Sequence, residues 1–126
     1  MFFSRAGGER FIQRIDVPTG DFMVDDFTWD ADEHLLDLSS IVPANAIRVR
    51  VRIEIYSDTA KNYIGLWAAN STTYHDDVKA RVQVANITNM VVADIPLTTP
   101  QIIQYRAKIY SGTVPVCAIS IYGWWI

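Results

Sequence analysis

The stretch IRVRVRIEIY (47–56) alternates apolar and polar residues without a slip. A repeat of two at that length fits a strand with one face in a core and the other turned outward, and it excludes an amphipathic helix. Residues two apart share a face, so Arg48, Arg50 and Arg52 stand in a row with guanidinium groups roughly 7 Å apart. Such a row calls for a partner: phosphate, a row of carboxylates, or water.

The same period runs through most of the chain, and no window carries a 3.6-residue stripe. Strands are expected over 10–17, 22–29, 34–38, 46–56, 63–69, 78–85, 90–97, 101–110 and 116–126, with Gly, Pro, Asn and Ser at the joins. In VKARVQVA (78–85), Val78, Ala80, Val82 and Val84 should face inward. Gly65 marks a bulge or a close backbone approach, and Pro96 marks a strand end or an edge. About eight or nine short strands at such spacing predict an all-β antiparallel sandwich, jelly-roll-like at this size. The 126 residues form one domain, half hydrophobic and 12% aromatic, with an acidic N-terminal segment over about 1–33. No apolar run is long enough for a membrane span, so no membrane insertion is expected. The opening MFFSRAGGERF lacks the apolar centre of a signal peptide.

Charge is unevenly spread. Residues 1–47 hold nine acids and three bases, and residues 48–126 hold five acids and eight bases. The positive excess of the second part is too small for a nucleic-acid binder, so no nucleic-acid partner is expected. Between Arg14 and Arg48 there is no Lys or Arg, while eight carboxylates fall there: Asp16, Asp21, Asp25, Asp26, Asp30, Asp32, Glu33 and Asp37. These, from the same or a neighbouring subunit, are chiefly the expected partners of the arginine row, since guanidinium forks match carboxylates in bidentate geometry.

Motifs for chemistry are missing. The serines lack a nucleophile-elbow setting, and RAGGER lacks the strand–glycine–helix context for phosphate. YHDD (74–77) offers His75, Asp76 and Asp77 to a metal, but without HxH or HExxH spacing it reads as a solvated turn. TWDADEHLLDL lacks the glycine and glutamate of a calcium loop. The single Cys117 excludes an internal disulfide and, within an apolar run, reads as a buried inert thiol. The expectation is a protein without enzymatic activity, metal or cofactor.

Trp29, Trp67, Trp124 and Trp125 are candidates for a subunit interface, with sugar contact as the rival. Trp124 and Trp125 are adjacent on the last strand and must point to opposite faces, one to the core and one to a partner element, a second subunit or solvent.

Three stretches together, LLDLSSIVPANAIRVRVRI (35–53), VQVANI (82–87) and AISIYGWW (118–125), resemble small β-sandwich domains in virion proteins of tailed bacteriophages. Trp29 before HLLDLSS, and the closing Gly123, Trp124 and Trp125, fit that pattern. The resemblance spans about residues 27–125. It implies a jelly-roll-like module, commonly a homotrimer, acting in assembly or surface attachment, and it brings no catalytic residues. With no coiled-coil stalk before the domain, a capsid cement or decoration protein is expected, bound to a major capsid protein or a tail component in the virion. The alternative is a receptor-binding module of a tail fibre that contacts a host-surface glycan.

Overall fold

A computed structural model describes residues 9–70 and 78–126 as two antiparallel sheets packed face to face. In chain order the strands are β1 (Phe11–Gln13), β2 (Phe22–Met23), β3 (His34–Asp37), β4 (Arg48–Tyr56), β5 (Tyr63–Ala68), β6 (Val78–Arg81), β7 (Asn89–Pro96), β8 (Ile102–Lys108) and β9 (Val116–Trp125). One sheet runs β1-β9-β4-β7, with β2 also on β9, and the other runs β3-β8-β5-β6.

The pairing is nested. β1 and β2 pair with β9, β3 with β8, β4 with β7 and β5 with β6, all antiparallel. This is one long folded-over ribbon, rolled until β4 meets β9 and β5 meets β8. The result is the double-sheet jelly-roll order, as the strand spacing predicted.

Period-two patterning decides what each sheet buries. Along β4, Val49, Val51, Ile53 and Ile55 are fully buried, while the arginines between them are half-exposed. Ile64 and Leu66 of β5, Ile103, Tyr105 and Ala107 of β8, and Cys117, Ile119 and Ile121 of β9 close the core from the other strands. Burying one such aliphatic side chain contributes about 1.5–3 kcal/mol.

Some boundaries differ from expectation. The segment expected as a strand over 22–29 becomes two strand residues followed by a 3-10 turn at Val24–Asp26. Two acids in succession, Asp25 and Asp26, favour that turn, and Asp26 Oδ2 accepts the Met23 N–H at 2.8 Å. Val84, expected to face inward, is 60% exposed. β6 ends at Arg81, and the chain then turns, with Asn86 at φ 64° and its N–H bonded to Ser57 O. The motif His75, Asp76 and Asp77 lies outside the described residues.

Candidate functional site: the arginine and aromatic face of the five-stranded sheet

The outer face of the five-stranded sheet is shaped by one extra residue. β4 and β9 pair as Arg50↔Gly123 and Val51↔Ile121, so Tyr122 is a β-bulge. Upstream of it, Ala118 and Ser120 lie opposite Glu54 and Arg52; downstream, Gly123 and Trp125 lie opposite Arg50 and Arg48. The bulge reverses the alternation. Trp124 therefore packs on the core, and Trp125 stands on the outer face among the arginines.

Gly123 permits the next layer. A Cβ there would lie 2.4 Å from Ile12 O and 2.6 Å from Phe11 Cζ, so only glycine lets β1 and the Phe11 ring sit against β9. Phe11 then meets Trp125 with ring centroids 4.7 Å apart. The partner element of Trp125 is thus β1 of its own chain.

Each guanidinium is placed between a ring and an oxygen. Arg48 lies 4.6 Å from the Trp125 ring centre and pairs with Glu9. Arg50 lies 5.0 Å from Trp125 and 5.3 Å from Phe11. Its fork grips Asp94, its cross-strand neighbour on β7, at 2.8 and 3.2 Å. That hydrogen bond holds the Arg50 guanidinium above its usual pKa. Arg52 lies 5.7 Å from Tyr122, and among the described residues its Nη2 reaches only the Thr19 carbonyl, at 3.5 Å. Its Nε is buried without a hydrogen-bond partner. Interleaved rings and carboxylates relieve the repulsion that a bare row of like charges would suffer.

The expected source of those carboxylates is corrected here. Within the chain the acids of 16–37 do not pair with the row; Glu9 and Asp94 do. Asp94 wins because strand register places it directly across from Arg50. Asp21 is taken by Arg14, with both carboxylate oxygens 2.7 Å from Nη1, and Asp30 by His34 at 2.8 Å.

A depression of about 260 Å³ lies on this face, lined by Phe11, Gln13, Val17, Arg50 and Tyr122. Sequence reasoning missed Phe11 and Tyr122 because a bulge and a strand paired across more than a hundred residues leave no local pattern.

Two other candidates sit elsewhere. Trp67, expected at an interface, is 1% exposed, and its Nε1 donates to Gln104 Oε1 at 3.1 Å. It has no surface left for a partner. Trp29 is half-buried against the core, donating to Val24 O at 3.1 Å.

Other polar clusters are structural. Asn62 is fully buried; its Nδ2 donates to Ser57 Oγ and Ser111 O, both at 2.9 Å, and its Oδ1 accepts Tyr110 N–H at 2.7 Å. Ser57 Oγ donates to Thr113 O at 2.6 Å, and among the described residues no histidine joins this network to act as a base. Among the described residues no three of His, Cys, Asp and Glu gather closely enough to hold a metal ion. Burial pushes the Cys117 thiol up to about 12, which suppresses the reactive thiolate. Among the described residues no helix is long and apolar enough to cross a membrane. Compared with known proteins, the chain matches no family model and no curated protein.

Proposed function

We propose that this chain is a non-enzymatic structural protein of a bacteriophage virion, a cement or decoration subunit that docks on a capsid or tail surface. The observation that carries this reading is the outer face of the five-stranded sheet, where three arginines are interleaved with Trp125, Phe11 and Tyr122. Tyr, Trp and Arg are the residues in which interface binding energy concentrates. Here their rotamers are already held by ion pairs and ring contacts, so little side-chain entropy remains to be lost on docking. The likeness of 35–53, 82–87 and 118–125 to phage virion domains supplies the biological setting, and the homotrimer common among those domains is part of the proposal.

The test is mass spectrometry of purified particles, together with heat-induced genome release from particles made with and without the chain. Stoichiometric presence and earlier release without it are expected. Absence of the chain from particles overturns the reading.

The depression favours a second reading, contact with a host-surface glycan. Its walls pair aromatic rings with a guanidinium, which suits a carboxylated sugar. Titration with neutral and acidic monosaccharides, followed by NMR, should move the Tyr122 and Arg50 signals with the acidic sugars alone. No movement with any of them removes this reading.

A further inference from the structure

A sandwich must protect the open edges of its sheets, and here three of four are guarded. β1 has three residues and lies between Arg10 and Arg14; β3 has four, with Glu33 before it and Asp37 at its end; β6 has four and carries Lys79 and Arg81. Short, charged edges resist pairing with other chains. β7 is the exception. It has eight residues, its one charge is Asp94, already paired with Arg50, and Met90 and Val92 are 52% and 53% exposed. Among the described residues no strand pairs with its far side.

The direction of its backbone groups follows from one bond. Leu97 N donates to Ile47 O at 2.9 Å, across towards β4. Successive residues of a strand turn N–H and C=O to opposite sides, so the odd-numbered residues of β7 face β4, and Met90, Val92, Asp94 and Pro96 face the open edge. Pro96, with no N–H to offer, sits on that side, as edge prolines do.

We propose that β7 is a docking edge for a second copy of this chain, pairing antiparallel about a two-fold axis at Ala93. This deepens the assembly reading above and rests on it for its biological role. In that register Val92 exchanges hydrogen bonds with Asp94 of the second copy, and Met90 donates to its Pro96, giving about six bonds across the axis. Apolar Met90 is covered by Pro96. Charge fits as well. Arg52 stands beside Val92 on β4, so the second copy's Arg52 lies two strands from Asp94, about 10 Å between backbones, and reaches it by swinging from Thr19 and Tyr122 towards the axis. Arg52 is the one arginine of the row with no carboxylate among the described residues, and the pairing brings one within the reach of its side chain. A second copy meets the demands of face and backbone direction with the same eight residues, and Arg52 of β4 answers the charge of Asp94. The contact closes at two copies, so a trimer formed elsewhere on the subunit would be linked pairwise through it.

Sedimentation of the full chain over a concentration series, together with cross-linking, tests this. A mass-action dimerisation is expected, weakened at least about tenfold by Val92→Lys and left unchanged by Leu35→Lys on the guarded β3 edge. Under mild oxidation Ala93→Cys should give a disulfide-linked pair, because directly opposed non-hydrogen-bonded residues lie about 4.5 Å apart between Cα atoms. Val92→Cys should link poorly. A monomer at every concentration, or association indifferent to Val92→Lys, overturns the proposal. So does a trimer in which Ala93→Cys does not link, an outcome that leaves the assembly reading standing. A linked dimer from a chain absent from purified particles would keep the edge and remove the virion role.

Discussion

The carboxylate of Asp21 accepts the backbone N–H of Ile121 at 2.7 Å while gripping Arg14 with both oxygens. Ile121 immediately precedes the bulged Tyr122, where the ladder between β4 and β9 is broken. Arg14 adds its own N–H to Tyr122 O at 2.9 Å. One acid from the wrapping segment therefore satisfies the donor beside the bulge and fixes the alternation that presents Trp125 outward.

Replacing Asp21 by Ala strands that N–H in a nearly closed site, where the carboxylate side chain is 5% exposed. A loss of about 1–3 kcal/mol is expected. Asp21→Asn keeps an acceptor and should lose less. Denaturant unfolding measures both, and a wild-type midpoint for Asp21→Ala would show that the bulge does not depend on this carboxylate.

Gly123→Ala tests the layer above. The added Cβ would meet backbone oxygen and an aromatic ring, neither of which can yield cheaply. β1 should lift, uncovering Trp125, with about 1–3 kcal/mol of destabilisation. A red shift of the tryptophan emission in the folded state is the expected signature. Unchanged emission with unchanged stability would mean that β1 contributes nothing to the cover of Trp125.

The strands and their inward faces were legible because a period of two is a local signal, as Val49 to Ile55 show. The arginine row was legible for the same reason, and so was its need for carboxylates. Which carboxylates was not. Glu9 and Asp94 are chosen by long-range register, and proximity in sequence pointed instead to the acids of 16–37. Trp67 misled because its strand is covered on both faces: Tyr63, Gly65 and Trp67 are as buried as Ile64 and Leu66. The order of Trp124 and Trp125 was undetermined until the bulge at Tyr122 set it.

Acid should loosen the sandwich. The Thr113 N–H, followed by the Thr59 side chain, holds the Asp58 carboxyl below its ordinary value of 3.8. A depressed folded value means the stabilisation is present above 3.8 and is lost as pH falls through the folded value. Asp30 and Asp37 are lowered in the same sense, by bonds from Asp32 and Ser39 first. Unfolding midpoints should fall below about pH 4, and less steeply in Asp58→Asn. An identical acid profile for that variant would count against the role given to Asp58.

Cys117 should react only through opening. Its thiol is fully buried and raised by desolvation to about 12 from 9.0. With the folded value raised, the thiol's contribution to stability is full below 9.0 and fades as pH climbs through the folded value. Iodoacetamide at pH 8 should label the folded chain far more slowly than the unfolded one, and Asp21→Ala should speed that labelling in proportion to its lost stability. Labelling at the rate of an open thiol would show that β9 is not closed.

The last expectation separates what the arginine row does for folding from what it does for docking. Arg50 and Asp94 are both substantially exposed, with side chains at 40% and 36%. Exposed pairs are screened by solvent and contribute little even with a good fork, so a double-mutant cycle over Arg50→Ala and Asp94→Ala should return a coupling near zero. Arg48→Glu, Arg50→Glu and Arg52→Glu together should therefore leave a folded sandwich. Their effect on docking should be much larger. In Arg50→Glu a carboxylate would stand opposite Asp94 across the strand, and in Arg48→Glu the cation over the ring of Trp125 would be gone. The face would change sign while its aromatic walls lost their cations. Arg50→Lys is the finer probe, because a lysine keeps the charge but not the planar fork that holds Asp94 and stacks on Phe11 and Trp125. Particle incorporation should drop in the triple variant and fall part-way in Arg50→Lys, while both retain the far-ultraviolet dichroism of the parent. A triple variant that folds and is incorporated at the parental level would remove this face from the docking surface.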